Sequence, residues 1–174
     1  MKSALLMLDV QKGFVQAGSF DTEINHITDI AEYFKQRKWP IYATKHFDSS
    51  SSSYIPAGTD LAEIDPRVVA YTNEILLKDQ PSVFKNQLLE EWLQKEAITD
   101  LVIVGFNVEF CCLFNAIIAQ EKGYSVTFIE DASATVNTET TYDMPGLDIR
   151  DFIATILHWS GTVSVMDTEE FIEK

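Results

Sequence analysis

Three residues of this chain carry side chains that suit one another chemically: Asp9, Lys78 and Cys111. A carboxylate can take up and return a proton, an ammonium favours a neighbouring anion, and a deprotonated thiol attacks an electrophilic carbon. Each stands at or just past the end of a short apolar run. Asp9 follows Ala4–Leu8, Lys78 follows Ile75–Leu77, and Cys111 lies a few residues beyond Val102–Val104. That last run stops at Gly105, and a helical pattern then extends from Cys111 to Lys122, with Gly123 as its C-terminal stop signal. A thiol at a helix N-terminus and beside a lysine is expected to ionise below its ordinary pKa of about 8.5. Taken singly, each residue has a plainer role. The Asp can form a turn or cap a helix, the Lys can be solvated, and the Cys can be a small buried residue. It is the combination that makes a nucleophilic set.

The elements that must position these residues alternate in type. Asp21 to Arg37 is an amphipathic helix with Ile24, Ile27, Ala31 and Phe34 at helical spacing. Pro40–Thr44 restarts a strand, and Glu74–Leu77 is another. Leu88, Leu89, Trp92 and Leu93 form the apolar face of a further helix. Leu101–Val104, Val126–Ile129 and Val163–Met166 are strands, with a helix over Leu147–His158. Strands that are apolar throughout, alternating with helices, predict a three-layer α/β/α sandwich around a mostly parallel sheet of about six strands. Such sheets bind ligands at the carboxyl ends of their strands. The stretch from Lys45 to Thr72 has no periodic pattern, and its Ser49–Ser53 run reads as loop. No repeat or domain boundary interrupts the chain, so residues 1–174 are expected to form one domain.

With 174 residues, 46% hydrophobic and 23% charged, the chain has the composition of an ordinary globular protein. Its net charge of −14 argues against a nucleic-acid partner or an anionic membrane surface. The opening apolar run is too short to span a bilayer and is read as a first strand rather than an export signal. The only two cysteines are adjacent, so they cannot staple distant segments, and both are expected to be reduced in a cytoplasmic setting.

Several segments together resemble the isochorismatase-like cysteine hydrolases. Leu6-Met7-Leu8-Asp9-Val10-Gln11-Lys12-Gly13-Phe14 is similar to the opening motif of that superfamily. Leu77–Phe84 matches its lysine motif, and Gly105 through Cys111 matches its glycine followed six residues on by cysteine. Gly123–Val126 and Glu130–Ala132 match as well, so the similarity runs from about Leu5 to Glu170. The resemblance implies a Rossmann-like hydrolase with Asp9, Lys78 and Cys111 as a catalytic triad. It also implies an oxyanion hole from the backbone N–H groups of Asn107 and Cys111, with a non-proline cis peptide at Phe106-Asn107. Phe14, Phe106 and Phe110 flank the motif residues and are expected to wall a small apolar pocket. Self-association into a dimer or tetramer is a further implication.

Departures from the pattern narrow the expected chemistry. Nicotinamidases of the superfamily carry an Asp-x-His pair after the second strand and another His beyond it. Here the region reads Thr44-Lys45-His46-Phe47-Asp48-Ser49. His46 and Asp48, even with Asp65, do not make a closed ligand set, so no metal and no cofactor are expected. Cys112 is read as packing rather than as half of a strained vicinal disulfide. The expected activity is metal-independent hydrolysis of a C–N bond in a small amide or carbamoyl compound through a Cys111 thioester. The alternatives are hydrolysis of a non-amide bond with Asp9 as the acid, or a catalytically silent metabolite-binding protein.

Overall fold

The computed structural model describes residues 2–174. Six strands form one sheet: β1 (Ser3–Leu8), β2 (Ile41–His46), β3 (Glu74–Lys78), β4 (Asp100–Phe106), β5 (Ser125–Ala134) and β6 (Val163–Met166). All neighbouring strands are parallel, in the order β3-β2-β1-β4-β5-β6. The helices are α1 (Lys12–Gln16), α2 (Asp21–Gln36), α3 (Pro66–Val69), α4 (Gln87–Lys95), α5 (Leu113–Glu121), α6 (Ile149–Trp159) and α7 (Thr168–Ile172).

The alternation of β1 shows why its residues are all apolar. Ala4, Leu6 and Leu8 face a core shared with Leu89 and Leu93 of α4, Ala116 of α5 and Ile153 of α6. Leu5 and Met7 face the opposite core with Ile24, Ile27 and Phe34 of α2 and Val68 of α3. Helices thus cover both faces, the three-layer sandwich expected from the strand pattern. Each fully buried Leu, Ile or Phe contributes roughly 1.5–3 kcal/mol of transfer free energy. No helix of the described residues is long and apolar enough to cross a membrane.

Strand and helix positions agree with the periodicity, and the differences have local causes. Leu88, expected on the apolar face of α4, is 47% exposed, while Leu89 and Leu93 are fully buried. Leu88 falls in the first turn of α4, just after Asn86, which caps it by accepting from the Leu88 N–H at 3.1 Å. β5 runs to Ala134 because a register break between Ile103 and Gly105 lets it resume pairing at Ser133. Within the unpatterned stretch, Asp65 caps α3 by accepting from the Arg67 N–H at 2.9 Å, with Pro66 at the first helical position. α7 is closed by a reciprocal cap in which the Asp167 N–H donates to Glu170 Oε2 at 3.1 Å.

Candidate functional site

The parallel order brings the ends of four strands to one edge. β1 sits between β2 and β4, with Leu8 paired to Gly105, and β2 pairs His46 to Lys78 on β3. The order in which strands are added to the sheet reverses between β1 and β4, the switch position where open parallel sheets form their crevice. Gly105 permits the close crossing there. It has φ +119°, and a Cβ at that position would lie 2.2 Å from the Leu8 carbonyl oxygen. Asp9 leaves β1 in the left-handed conformation, φ +50°, which Asp tolerates better than most residues.

Asp9, Lys78 and Cys111, 102 positions apart in sequence from first to last, meet at this edge. They are 0%, 7% and 7% exposed, so the group is almost closed to solvent. Lys78 Nζ lies 2.6 Å from Asp9 Oδ2 and 3.2 Å from Cys111 Sγ. It is also 3.1 Å from His46 Nδ1 and 3.2 Å from the Gln80 carbonyl oxygen. The three N–H donors of the ammonium are shared among four acceptors, of which the Asp9 carboxylate is the nearest. Asp9 Oδ2 is in a close ion pair with Lys78 beside the Cys111 thiol, a buried oxygen placed to accept its proton. Its other oxygen, Oδ1, accepts from Thr44 Oγ1 at 2.5 Å, and Thr44 Oγ1 in turn accepts from the Asp9 N–H at 3.0 Å.

The charges decide the resting state of the thiol. Burial raises the Cys111 pKa most, the Asp9 carboxylate raises it further, and Lys78 opposes both, leaving it at about 12. The sequence-based expectation of a lowered thiol pKa is therefore corrected: the lysine is present, but desolvation and a carboxylate outweigh it. Burial works against the Lys78 charge, yet Asp9 and Cys111 prevail and hold its pKa above the ordinary value. For His46, burial and then Lys78 lower the pKa, which keeps the imidazole neutral near pH 7.

Buried polar side chains brace the group. Gln11 accepts from the His46 N–H at 2.8 Å and donates to the His46 and Ala62 carbonyls at 3.1 and 2.7 Å. Asn115 donates to the carbonyls of Cys111 and Pro81 at 2.7 and 3.0 Å and accepts from the Val83 N–H at 2.9 Å. Cys111 lies in a widened helical turn, Val108–Cys112, that leads into α5, with the Cys112 N–H donating to the Asn107 carbonyl at 3.2 Å. The Phe106-Asn107 peptide is cis. Asn107 Oδ1 accepts from the Val136 N–H at 3.0 Å, turning its side chain toward the loop after β5. Glu109 Oε1 accepts from Thr135, Asn137 and Tyr142, tying that same loop to the cysteine turn.

Of the aromatic residues singled out in the sequence, Phe106 is fully buried, stacked on Phe14 at 6.2 Å and edge-on to Phe20 at 5.1 Å. It supports Phe14 from within the core, while Phe110 is 42% exposed. Cys112 is fully buried among apolar residues, with burial holding its thiol well above the ordinary pKa. The set His46, Asp48 and Asp65 is not gathered. Asp48 accepts from the Ser50 N–H, and both Asp65 oxygens are held by Arg67 at 2.9 Å. Among the described residues, the group that could converge on a cation is Asp9, His46 and Cys111, and the Lys78 ammonium already stands within 3.2 Å of all three. Thr44, Gln11 and Asn115 were not singled out in the sequence. A polar residue inside an apolar strand run (Thr44) or on the buried face of a helix (Asn115) is the signal that marks them.

A profile of the isochorismatase domain matches residues 3–159. The chain belongs to the isochorismatase family. It is a hydrolase of that family, with the six-stranded parallel sheet and flanking helices of its members. Nicotinamidase 3 of Arabidopsis thaliana is 26% identical over 151 residues, covering 79% of this chain and 75% of that protein. The secreted isochorismatase effector Isc1 of Verticillium dahliae is 24% identical over 160 residues, covering 89% of this chain and 81% of that protein. Among solved structures, an isochorismatase-like hydrolase from Alkaliphilus metalliredigens superposes with a TM-score of 0.80 at 22% identity, covering 99% and 98% of the two chains. Nicotinamidase PncA from Bacillus subtilis superposes with a TM-score of 0.78 at 19% identity, covering 96% and 100%. These two superpositions reflect a shared isochorismatase-family fold.

Proposed function

We propose that this protein is a metal-independent cysteine hydrolase that cleaves a C–N bond in a small amide or carbamoyl compound. The observation that carries this reading is the buried Asp9 carboxylate, paired with Lys78 and lying beside the Cys111 thiol. Because the thiol rests protonated, attack and proton transfer are coupled. The Cys111 proton passes to Asp9 as sulfur bonds to the carbonyl carbon. The backbone N–H groups of Asn107 and Cys111 receive the developing oxyanion. Collapse breaks the C–N bond, and Asp9 returns its proton to the departing ammonia or amine. Asp9 then takes a proton from water, whose oxygen attacks the thioester and releases Cys111 as thiol. Lys78 balances the carboxylate throughout. Its position among Asp9, His46 and Cys111 supports chemistry without a metal, since a metal there would have to displace a buried ammonium. Phe14 and Phe110 wall the approach in this reading, with Phe106 behind Phe14.

Self-association is part of the same proposal. Phe110, Phe114 and Ile117 form an exposed apolar stripe leading from the cysteine turn along α5, and Phe152, Ile156 and Trp159 form another on α6. Analytical ultracentrifugation tests it, with a monomer across the micromolar range as the contrary result.

The activity test is ammonia release from a panel of amides and ureido acids, nicotinamide included, with and without a chelator. Chelator-resistant release that Cys111→Ala abolishes supports the proposal. Hydrolysis that survives Cys111→Ala counts against it.

A further inference from the structure

At the opposite edge of the sheet from Cys111, where β2 and β3 begin, lies a cavity of about 510 Å³. Its floor is aromatic. Tyr42 is only 3% exposed and stacks on Trp92 at 5.5 Å, and Trp39 stands on the other wall, held edge-on to Phe34 at 5.5 Å. The Tyr42 hydroxyl has no hydrogen-bond partner among the described residues. Burial, then Glu96 and Glu74, push its pKa up to about 12, so it remains a donor.

The rim is basic, against the character of the chain. The molecule carries 27 acidic and 13 basic residues. Lys2, Lys12, Lys45, Lys78, Lys122, Arg67 and Arg150 are each paired with a carboxylate. Of the six basic residues in no ion pair among the described residues, Lys35, Lys38 and Lys95 line this cavity. Lys35 instead sits over the Tyr71 ring at 5.1 Å. Two carboxylates also line it. Glu96 is neutralised by Lys2 at 2.6 Å, which leaves Glu74 alone against three ammonium groups.

We infer that this cavity is a second ligand site, separate from the hydrolase centre, for a small anion bearing a planar ring. The ring would lie against Trp39 and Trp92, with Tyr42 packed behind Trp92, and the charge would project to the lysines at the rim. The volume suits a ligand from the size of an aromatic carboxylate to that of a nucleoside monophosphate. An apolar floor with a few convergent polar groups is the usual form of such a site. The unpaired lysines supply an attraction that salt screens.

Isothermal titration calorimetry tests this on the intact protein with benzoate, adenosine monophosphate, adenosine and inorganic phosphate as separate probes. Saturable binding of benzoate or of adenosine monophosphate is expected, and whichever binds identifies the source of the anion. Lys38→Glu combined with Lys95→Glu should weaken it at least about tenfold, which corresponds to about 1.4 kcal/mol. Cys111→Ala should leave it unchanged. The inference is overturned if neither ringed anion binds, or if adenosine or phosphate alone binds as tightly. It is also overturned if the charge reversal has no effect or if Cys111→Ala abolishes binding.

Discussion

The Nδ1 atom of His46 lies 3.1 Å from the Nζ atom of Lys78. An ammonium can only donate, so Nδ1 must carry the lone pair and Nε2 the proton. The parallel register of β2 and β3, which sets His46 against Lys78, is what creates the contact. Nitrogen NMR of the imidazole should show the Nε2–H tautomer, with protonation only below the ordinary histidine value because burial and Lys78 disfavour the cation. Since the folded pKa is depressed, His46 contributes no loss of stability at neutral pH and begins to destabilise as pH falls below about 6.5. An Nδ1–H tautomer would contradict the contact.

Removing the carboxylate should separate thiol reactivity from turnover. Asp9 raises the Cys111 pKa and Lys78 lowers it, so Asp9→Asn leaves the lysine opposed by burial alone. The variant should alkylate with iodoacetamide faster than wild type at pH 8. Its hydrolysis should fall by about 10²–10⁴-fold, the usual contribution of a general acid–base. Wild-type alkylation should keep rising above pH 9 instead of reaching a plateau. If Asp9→Asn leaves hydrolysis unchanged, the assignment of Asp9 as proton acceptor is wrong.

The ion pair should reveal itself in a double-mutant cycle. Lys78→Met leaves the fully buried Asp9 charge without its partner, a loss of about 3–5 kcal/mol. Lys78→Met with Asp9→Asn removes both charges and should recover much of that in urea denaturation. The pH dependence has a definite sign. The Lys78 pKa is raised in the folded state, so its contribution is complete below the ordinary value of 10.5 and is lost as pH climbs toward the folded pKa. Additive single-mutant effects would argue against the coupling.

Gly105→Ala tests the crossing of β1 and β4. The added Cβ meets the Leu8 carbonyl oxygen at 2.2 Å in a backbone conformation with φ +119°, and neither strand can yield without shifting its neighbour. A destabilisation of at least about 2–3 kcal/mol is expected by thermal melting, with activity lost in whatever remains folded. A variant as stable as wild type would mean that the strands do not approach so closely.

How far the sequence discloses this molecule depends on the kind of signal. Strand and helix positions follow from periodicity, because both faces of the sheet are covered and leave β1 wholly apolar. Asp9, Lys78 and Cys111 were legible as strand-end residues that can converge at one sheet edge, and as a triad through the family resemblance. The thiol's electrostatics were not. Spacing shows that a lysine is near the cysteine but conceals the burial and the Asp9 charge that outweigh it. α7 was not read from the sequence, although the three-residue spacing of Asp167 and Glu170 forms the reciprocal cap at its start. A polar residue at a buried position marks Thr44 and Asn115 locally, but the partners of Thr44, Gln11 and Asn115 lie far along the chain, where no local pattern discloses them.

Asn115 has a consequence for how such a protein can change over evolutionary time. Its one amide bridges the Cys111 carbonyl, the Pro81 carbonyl and the Val83 N–H, riveting the segment after Lys78 to the helix after the nucleophile. Insertions or exchanges in either segment would pull on both, so reactive chemistry is inherited as a single block. The long connection between β2 and β3 is free of that rivet and is tied to the group by Gln11 at Ala62, so its other residues can diverge toward new substrates without moving the amide bridge.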